Sequence, residues 1–153
     1  MLQLSTAWQD IWNNFEHVAI AYILTACIGW EREQQAHSAG VRTFPIVGMA
    51  SCGYLLLLGP QPNTADQSRL LQGLITGIGF IGGGAILKEG TSVKGTATAA
   101  SVWNAGVIGA AVAMHHYGIA VTLALLNLFT LRTLLPLKRW LDRKQDKTSD
   151  GRV

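Results

Sequence analysis

The chain has 153 residues, is 49% hydrophobic and only 14% charged, and carries a net charge of +3. One domain fits this length. With a positive mean hydropathy of +0.27, the composition disfavours a soluble domain with a full polar surface and fits a compact polytopic membrane protein. No charged residue falls between Lys94 and Arg132, a gap of 37 positions, and a second gap of 18 covers Leu70–Leu87.

A membrane span needs about 20 mostly apolar residues, roughly 17 to 25. Five segments meet or approach that requirement: Trp12–Trp30, Phe44–Leu58, Leu70–Leu87, Ala97–Met114 and Gly118–Leu135. The first carries Glu16 and His17, and the second is short. No cationic stretch precedes the first apolar run, so it does not read as a secretory signal. Cys27 and Cys52 fall within spans without metal-ligand spacing and are expected to be small packing residues.

The first span ends in Trp30-Glu31-Arg32-Glu33, and a short polar loop leads to Arg42. Pro45 stands where a helix start tolerates proline. Gly59-Pro60-Gln61-Pro62-Asn63 reads as a turn. The third span holds Gly77-Ile78-Gly79-Phe80-Ile81-Gly82-Gly83-Gly84. This formally contains G-x-G-x-x-G, but a dinucleotide site needs a preceding strand and a later acidic residue, and neither is expected here. Glycines and small residues four apart instead let another helix approach closely. Gly73, Gly77, Gly79, Gly82 and Gly83 are therefore expected to pack helices, with Ala97, Ala99, Ala100, Ser101 and Ala105 as a counterface. Lys88–Gly95 should be a tight loop, with Thr96 or Thr98 capping the next helix. His115-His116-Tyr117-Gly118 reads as a turn, without an acid or thiol close in sequence. The last span ends near Pro136, and residues 137–153 form a basic tail.

Threading five spans with the amino terminus outside puts eleven of the 12 Lys and Arg residues on one side, leaving only Arg69 on the other. The positive-inside rule assigns the rich side to the cytoplasm. Trp8 and Trp12 then mark the outer interface, and Trp30 and Trp140 the inner one. Glu31, Arg32, Glu33, Arg42, Lys88, Glu89 and Lys94 share the cytoplasmic face and are expected to form a charged network. Glu31 and Glu33, two apart on a helix, point to nearly opposite sides and are not expected to chelate one ion. The main polar residues within spans are Asn104 and Asn127, expected to bond across helices. No catalytic, cofactor or metal set is apparent, so a non-enzymatic protein is expected.

In order and spacing, Ile28-Gly29-Trp30-Glu31-Arg32-Glu33, Ala39-Gly40-Val41-Arg42-Thr43, Gly77 to Ile86, Glu89-Gly90, Val93-Lys94-Gly95, Thr98-Ala99-Ala100, Val102-Trp103, Gly106 and Ile108-Gly109 resemble the MgtC/SapB family of bacterial inner-membrane proteins. The resemblance covers roughly Ala19 to Leu135. By motif match it carries over Glu31, Arg32, Gly40, Arg42, Thr43, Gly77, Gly79, Gly82, Glu89, Gly90, Gly95 and Trp103. It departs mildly at Gly83, where alanine is common, and at Thr96, where leucine is common. Some members add a soluble carboxyl-terminal domain, and this chain stops after its tail.

The resemblance implies a protein linked to magnesium limitation and, in pathogens, to survival inside host cells. Members are treated either as magnesium transporters or as regulators of other membrane machines, including the proton-translocating ATP synthase. The combined expectation is an all-α, multi-pass inner-membrane protein, with residues 1–136 as its transmembrane domain. Its partners would be the lipid bilayer, a second copy met through a glycine face, and a membrane complex such as an ATP synthase or a transporter. No nucleic acid is expected as a partner. Regulation is the leading function, with transport of Mg²⁺ or another cation as the alternative.

Overall fold

The computed structural model describes residues 2–35, 39–59, 63–90 and 92–150, without the side chains of 2–7, 89 and 135–150. Five helices dominate: α1 (Leu2–Gln34), α2 (Thr43–Leu56), α3 (Thr64–Gly84), α4 (Thr96–Ala113) and α5 (Tyr117–Asp150). Strands β1 (Leu87–Glu89) and β2 (Ser92–Lys94) form an antiparallel hairpin between α3 and α4. The expected tight loop is thus a short paired ladder, turned at Gly90 with φ 59°.

α4 is the central helix and packs against the other four. Its composition explains the position. Alanine, glycine and serine leave room for neighbours on several sides, and Val102, Ile108 and Val112 fill the spaces between them. The core continues through Ala21, Ile28, Phe44, Val47, Cys52, Ala120, Ala124 and Leu131.

Glycines set the closest approaches. A Cβ at Gly109 would collide with the Gly48 carbonyl oxygen, and one at Gly106 with Ile78. A Cβ at Gly48 would come within 2.6 Å of Thr25 Oγ1, and one at Gly82 within 3.0 Å of the Ala99 carbonyl oxygen. Backbones therefore meet most closely between α2 and α4. Of the α3 glycines expected to pack, Gly82 meets its alanine counterface. Gly73, Gly77, Gly79 and Gly83 face open space within the chain.

Helix ends follow local chemistry. Asn63 caps α3 through its side chain, which accepts from Ala65 N–H at 3.0 Å. α4 starts instead at Gly95, which has φ 88° and no side-chain cap, so neither Thr96 nor Thr98 serves as the expected cap. Gly95 is required there because its backbone is left-handed and a Cβ would strike the Ala85 carbonyl. α5 continues through Pro136 to Asp150, beyond the expected end of its span.

Two windows, Thr96–Ala113 and Tyr117–Leu134, are long and apolar enough to cross a membrane, while α2 is apolar but short. The bundle also exposes large apolar side chains on every helix. Examples are Ile23 and Trp30 on α1, Ile46 and Leu57 around α2, Phe80 on α3, Trp103 on α4, and Leu125 and Phe129 on α5. Soluble monomers rarely expose such extensive apolar surface. It matches a lipid surrounding.

Candidate functional site

The end of the bundle where α1 finishes holds a buried polar cluster. Glu31 is 5% exposed and Arg32 2% exposed. On a helix, Gln35 neighbours both, at i+4 from Glu31 and i+3 from Arg32. It uses that position fully: its Nε2 donates to Glu31 Oε1 at 2.7 Å, and its Oε1 accepts from an Arg32 terminal N–H at 3.2 Å. The other Glu31 oxygen accepts from Arg132 Nε at 2.9 Å. Arg132 is the first charge after the apolar run of α5, and its guanidinium stays mostly exposed.

Both Glu31 oxygens are thus engaged, and one buried carboxylate stands among two guanidinium groups. The local charge is positive. Arg32 Nε is buried with no hydrogen-bond partner among the described residues. Burial lowers the Arg32 pKa and the Glu31 charge works against that. An arginine in such a setting remains charged.

The α4–α5 interface carries further polar groups. Ser101 on α4 donates to Asn127 Oδ1 on α5 at 2.9 Å, and Asn104 Nδ2 donates to the Leu123 carbonyl at 3.4 Å. Thr98 Oγ1 and Asn127 Nδ2 are buried and unpartnered among the described residues.

The residues read as one charged network take different positions. Glu31 and Arg32 lie in the buried cluster. Glu33 is exposed and accepts from the Val41 N–H at 3.1 Å, tying α1 to the loop before α2. Its carboxylate lies over Gly40, where a Cβ would collide with it. Arg42 is exposed at the start of α2. Lys88 and Lys94 are exposed on the hairpin, and Lys94 makes a contact of its own. The Glu89 side chain and the side chains of the basic tail lie outside the described residues. Arg132, left out of the expected network, is the partner of Glu31. Its signal was its place as the first charge after the long gap.

The opposite end holds a second polar constellation. His17 on α1, His115 in the α4–α5 turn and Tyr117 at the start of α5 meet above the core. A cavity of about 940 Å³ opens beside them, lined also by Asp10, Asn13, Glu16 and Gln67. His115 lacked a visible partner because His17 lies 98 residues away in sequence.

The model of the MgtC family matches residues 18–140. Protein MgtC of Brucella abortus (strain 2308) is 31% identical over 103 residues, covering 65% of this chain and 43% of that protein. YhiD of Escherichia coli (strain K12), provisionally named a magnesium transporter, is 32% identical over 123 residues, covering 72% of this chain and 57% of that one. A protein of Haemophilus influenzae (strain Rd) is 31% identical over 144 residues, covering 87% and 60%. The chain spans about half the length of the curated relatives it matches. No solved structure matches it. The family match takes in α2, α3, α4, the buried Glu31–Arg32 cluster and its partner Arg132, and on that extent the chain belongs to the MgtC family.

Proposed function

We propose that the chain is a multi-pass membrane protein of magnesium homeostasis that acts as a non-enzymatic regulator of another membrane complex. One observation carries this reading: the buried Glu31 carboxylate is fully engaged by Gln35 and Arg132 and stands beside Arg32. Mg²⁺ is held by carboxylates while it keeps several waters. A carboxylate with both oxygens occupied, in a positive setting, is a poor station for that ion and a good rigid strut. The magnesium link rests on relatives, one of which bears the name of a magnesium transporter.

In this reading the Glu31 end faces the cytoplasm, where eleven of the 12 basic residues gather. Self-association through the open side of α3 belongs to the same proposal. Gly73 and Gly77 are four apart with open space above them, the spacing that lets a second helix come close.

Transport is the second reading, favoured by the cavity of about 940 Å³ at the His17 end. Liposomes holding the purified protein and a magnesium-sensitive dye separate the two. The expected result is no protein-dependent flux, together with a stoichiometric membrane partner on gentle purification. Flux that Arg32→Ala removes would replace regulation with transport.

A further inference from the structure

We propose that His17, His115 and Tyr117 form a binding site for a divalent transition cation of the zinc class. The site is separate from the Glu31 cluster and independent of the regulatory reading.

The geometry is that of a ligand face. His17 Nε2 lies 3.2 Å from His115 Nδ1, and Tyr117 Oη lies 3.0 Å from the first nitrogen and 3.4 Å from the second. Ligands at the zinc distance on a tetrahedral centre stand about 3.3 Å apart. The three atoms therefore already span one face of such a tetrahedron. The adjoining cavity leaves the fourth position to water.

Proton placement supports the same reading. His17 Nδ1 lies 2.7 Å from the Asn13 carbonyl, which can only accept. That carbonyl takes the Nδ1 proton, which leaves Nε2 as the nitrogen facing the other two groups. A backbone carbonyl orienting the far side of an imidazole is the usual support of a ligating histidine. Without a cation the triangle closes through hydrogen bonds, with the His115 Nδ1–H donating to Tyr117 Oη and that hydroxyl donating to His17 Nε2. A cation inside the triangle would replace those two bonds: each imidazole offers a ring lone pair, and the Tyr117 proton passes to water as the phenolate oxygen binds. Asp10 and Glu16, which line the cavity, add a negative field that favours a cation there.

The backbone adds an independent observation. His115 N–H bonds the Val112 carbonyl at 3.0 Å and His116 N–H bonds the Ala111 carbonyl at 2.8 Å. These two bonds end α4 in a Schellman motif with His115 at the left-handed position, φ 58°. Glycine is the usual residue there because a side chain is strained. At Gly59, Gly90 and Gly95 the chain does use glycine for left-handed backbone. Only at 115 does a side chain take such a conformation among the described residues, and that side chain points at His17. Among the described residues no three His, Cys, Asp or Glu side chains gather as metal ligands, and the third donor assigned here is the phenol of Tyr117.

The test is a Co²⁺ titration of the full chain in detergent, freed of any histidine tag. The expected result is one equivalent bound with the intense visible bands of tetrahedral cobalt, displaced by Zn²⁺ but not by Mg²⁺ in large excess. His17→Ala and His115→Gly should each weaken binding at least ~10-fold, while His116→Ala binds as the parent does. His115→Gly relieves the left-handed backbone, so its melting temperature should equal or exceed the parent's, and loss of binding is then no folding defect. Three results would overturn the site: no tetrahedral bands, bands that survive His115→Gly in folded protein, or equal loss in His116→Ala.

Discussion

Removing either end of the Glu31–Arg132 pair breaks the same hydrogen bond, yet the two substitutions should differ severalfold in effect. The Glu31 side chain is 7% exposed and that of Arg132 65% exposed. After Arg132→Gln, Glu31 keeps its bond from Gln35 and the nearby charge of Arg32, and the lost guanidinium was already largely in solvent. An exposed partner of this kind contributes about 0–1 kcal/mol. Glu31→Gln instead leaves Arg32, 2% exposed and with its Nε unpartnered among the described residues, without its neutralising carboxylate. Stranding a buried charge costs roughly 3–5 kcal/mol. The expected difference is therefore about 3 kcal/mol, a factor of more than a hundred in the folded population.

Unfolding in micelles, followed by circular dichroism on heating or on titration with a denaturing detergent, measures both variants. A third variant isolates the cause. Arg32→Met in the Glu31→Gln background removes the stranded charge and should recover part of the loss. The reasoning fails if Arg132→Gln costs as much as Glu31→Gln, or if Arg32→Met adds a further loss to the Glu31→Gln protein.

Two glycines should respond to alanine with opposite signs. Gly109→Ala drives a methyl into the Gly48 carbonyl and to 3.0 Å from Ser51 Cβ, so it should destabilise the fold by about 1–3 kcal/mol. Gly79→Ala meets nothing within 4 Å and should raise the stability of the isolated chain by about 0.5–1 kcal/mol. Melting temperatures of the two purified variants decide the matter, and equal signs would show that the close approach is misplaced. Thr98→Val exchanges a buried hydroxyl, unpartnered among the described residues, for a methyl of similar shape. It should be neutral or stabilising by up to ~1 kcal/mol in the same assay, and a clear loss would mean that the hydroxyl has a partner.

Helix number was legible because charge gaps and apolar runs are long-range, redundant signals. The hairpin was not, since Leu87–Glu89 and Ser92–Lys94 are three residues each and lack a strand pattern of any length. Glycine roles were legible only in kind. Gly77 and Gly109 look equivalent in sequence, yet one is open and the other touches α2, because contact depends on which helix face turns inward. Glu31 and Arg32 stood out as charges at a span end. Their burial did not, because it needs α5 to bring Arg132 back across 101 positions. His17, His115 and Tyr117 are each unremarkable in sequence and acquire meaning only where α1 meets the α4–α5 turn.

Those cross-links determine which helix is free to move. α1 and α5 are tied at one end by Glu31–Arg132 and at the other by His17–Tyr117, while Ser101–Asn127 joins α4 to α5. α2 is held to α4 by backbone approach at Gly48 and Gly109, and to α1 where Gly29 faces Phe44. α3 packs on α4, with Gly82 against Ala99 and Ile78 against Gly106, but among the described residues no side-chain hydrogen bond or ion pair ties it to another helix, and a cavity of about 390 Å³ opens between it and α2. Its own backbone is also weak. Six of its 21 residues are glycine, each costing about 0.5–1 kcal/mol of helix stability relative to alanine, or roughly 3–6 kcal/mol in sum. α3 should therefore open locally while α4 is still intact. Amide hydrogen exchange in micelles tests this: peptides from 70–84 should exchange well before those from 98–112, and the gap should narrow when Gly77 and Gly79 are both replaced by alanine. Equal protection of the two helices would mean that α3 is held by contacts outside a single copy of the chain, the result expected if a second copy covers its open glycines.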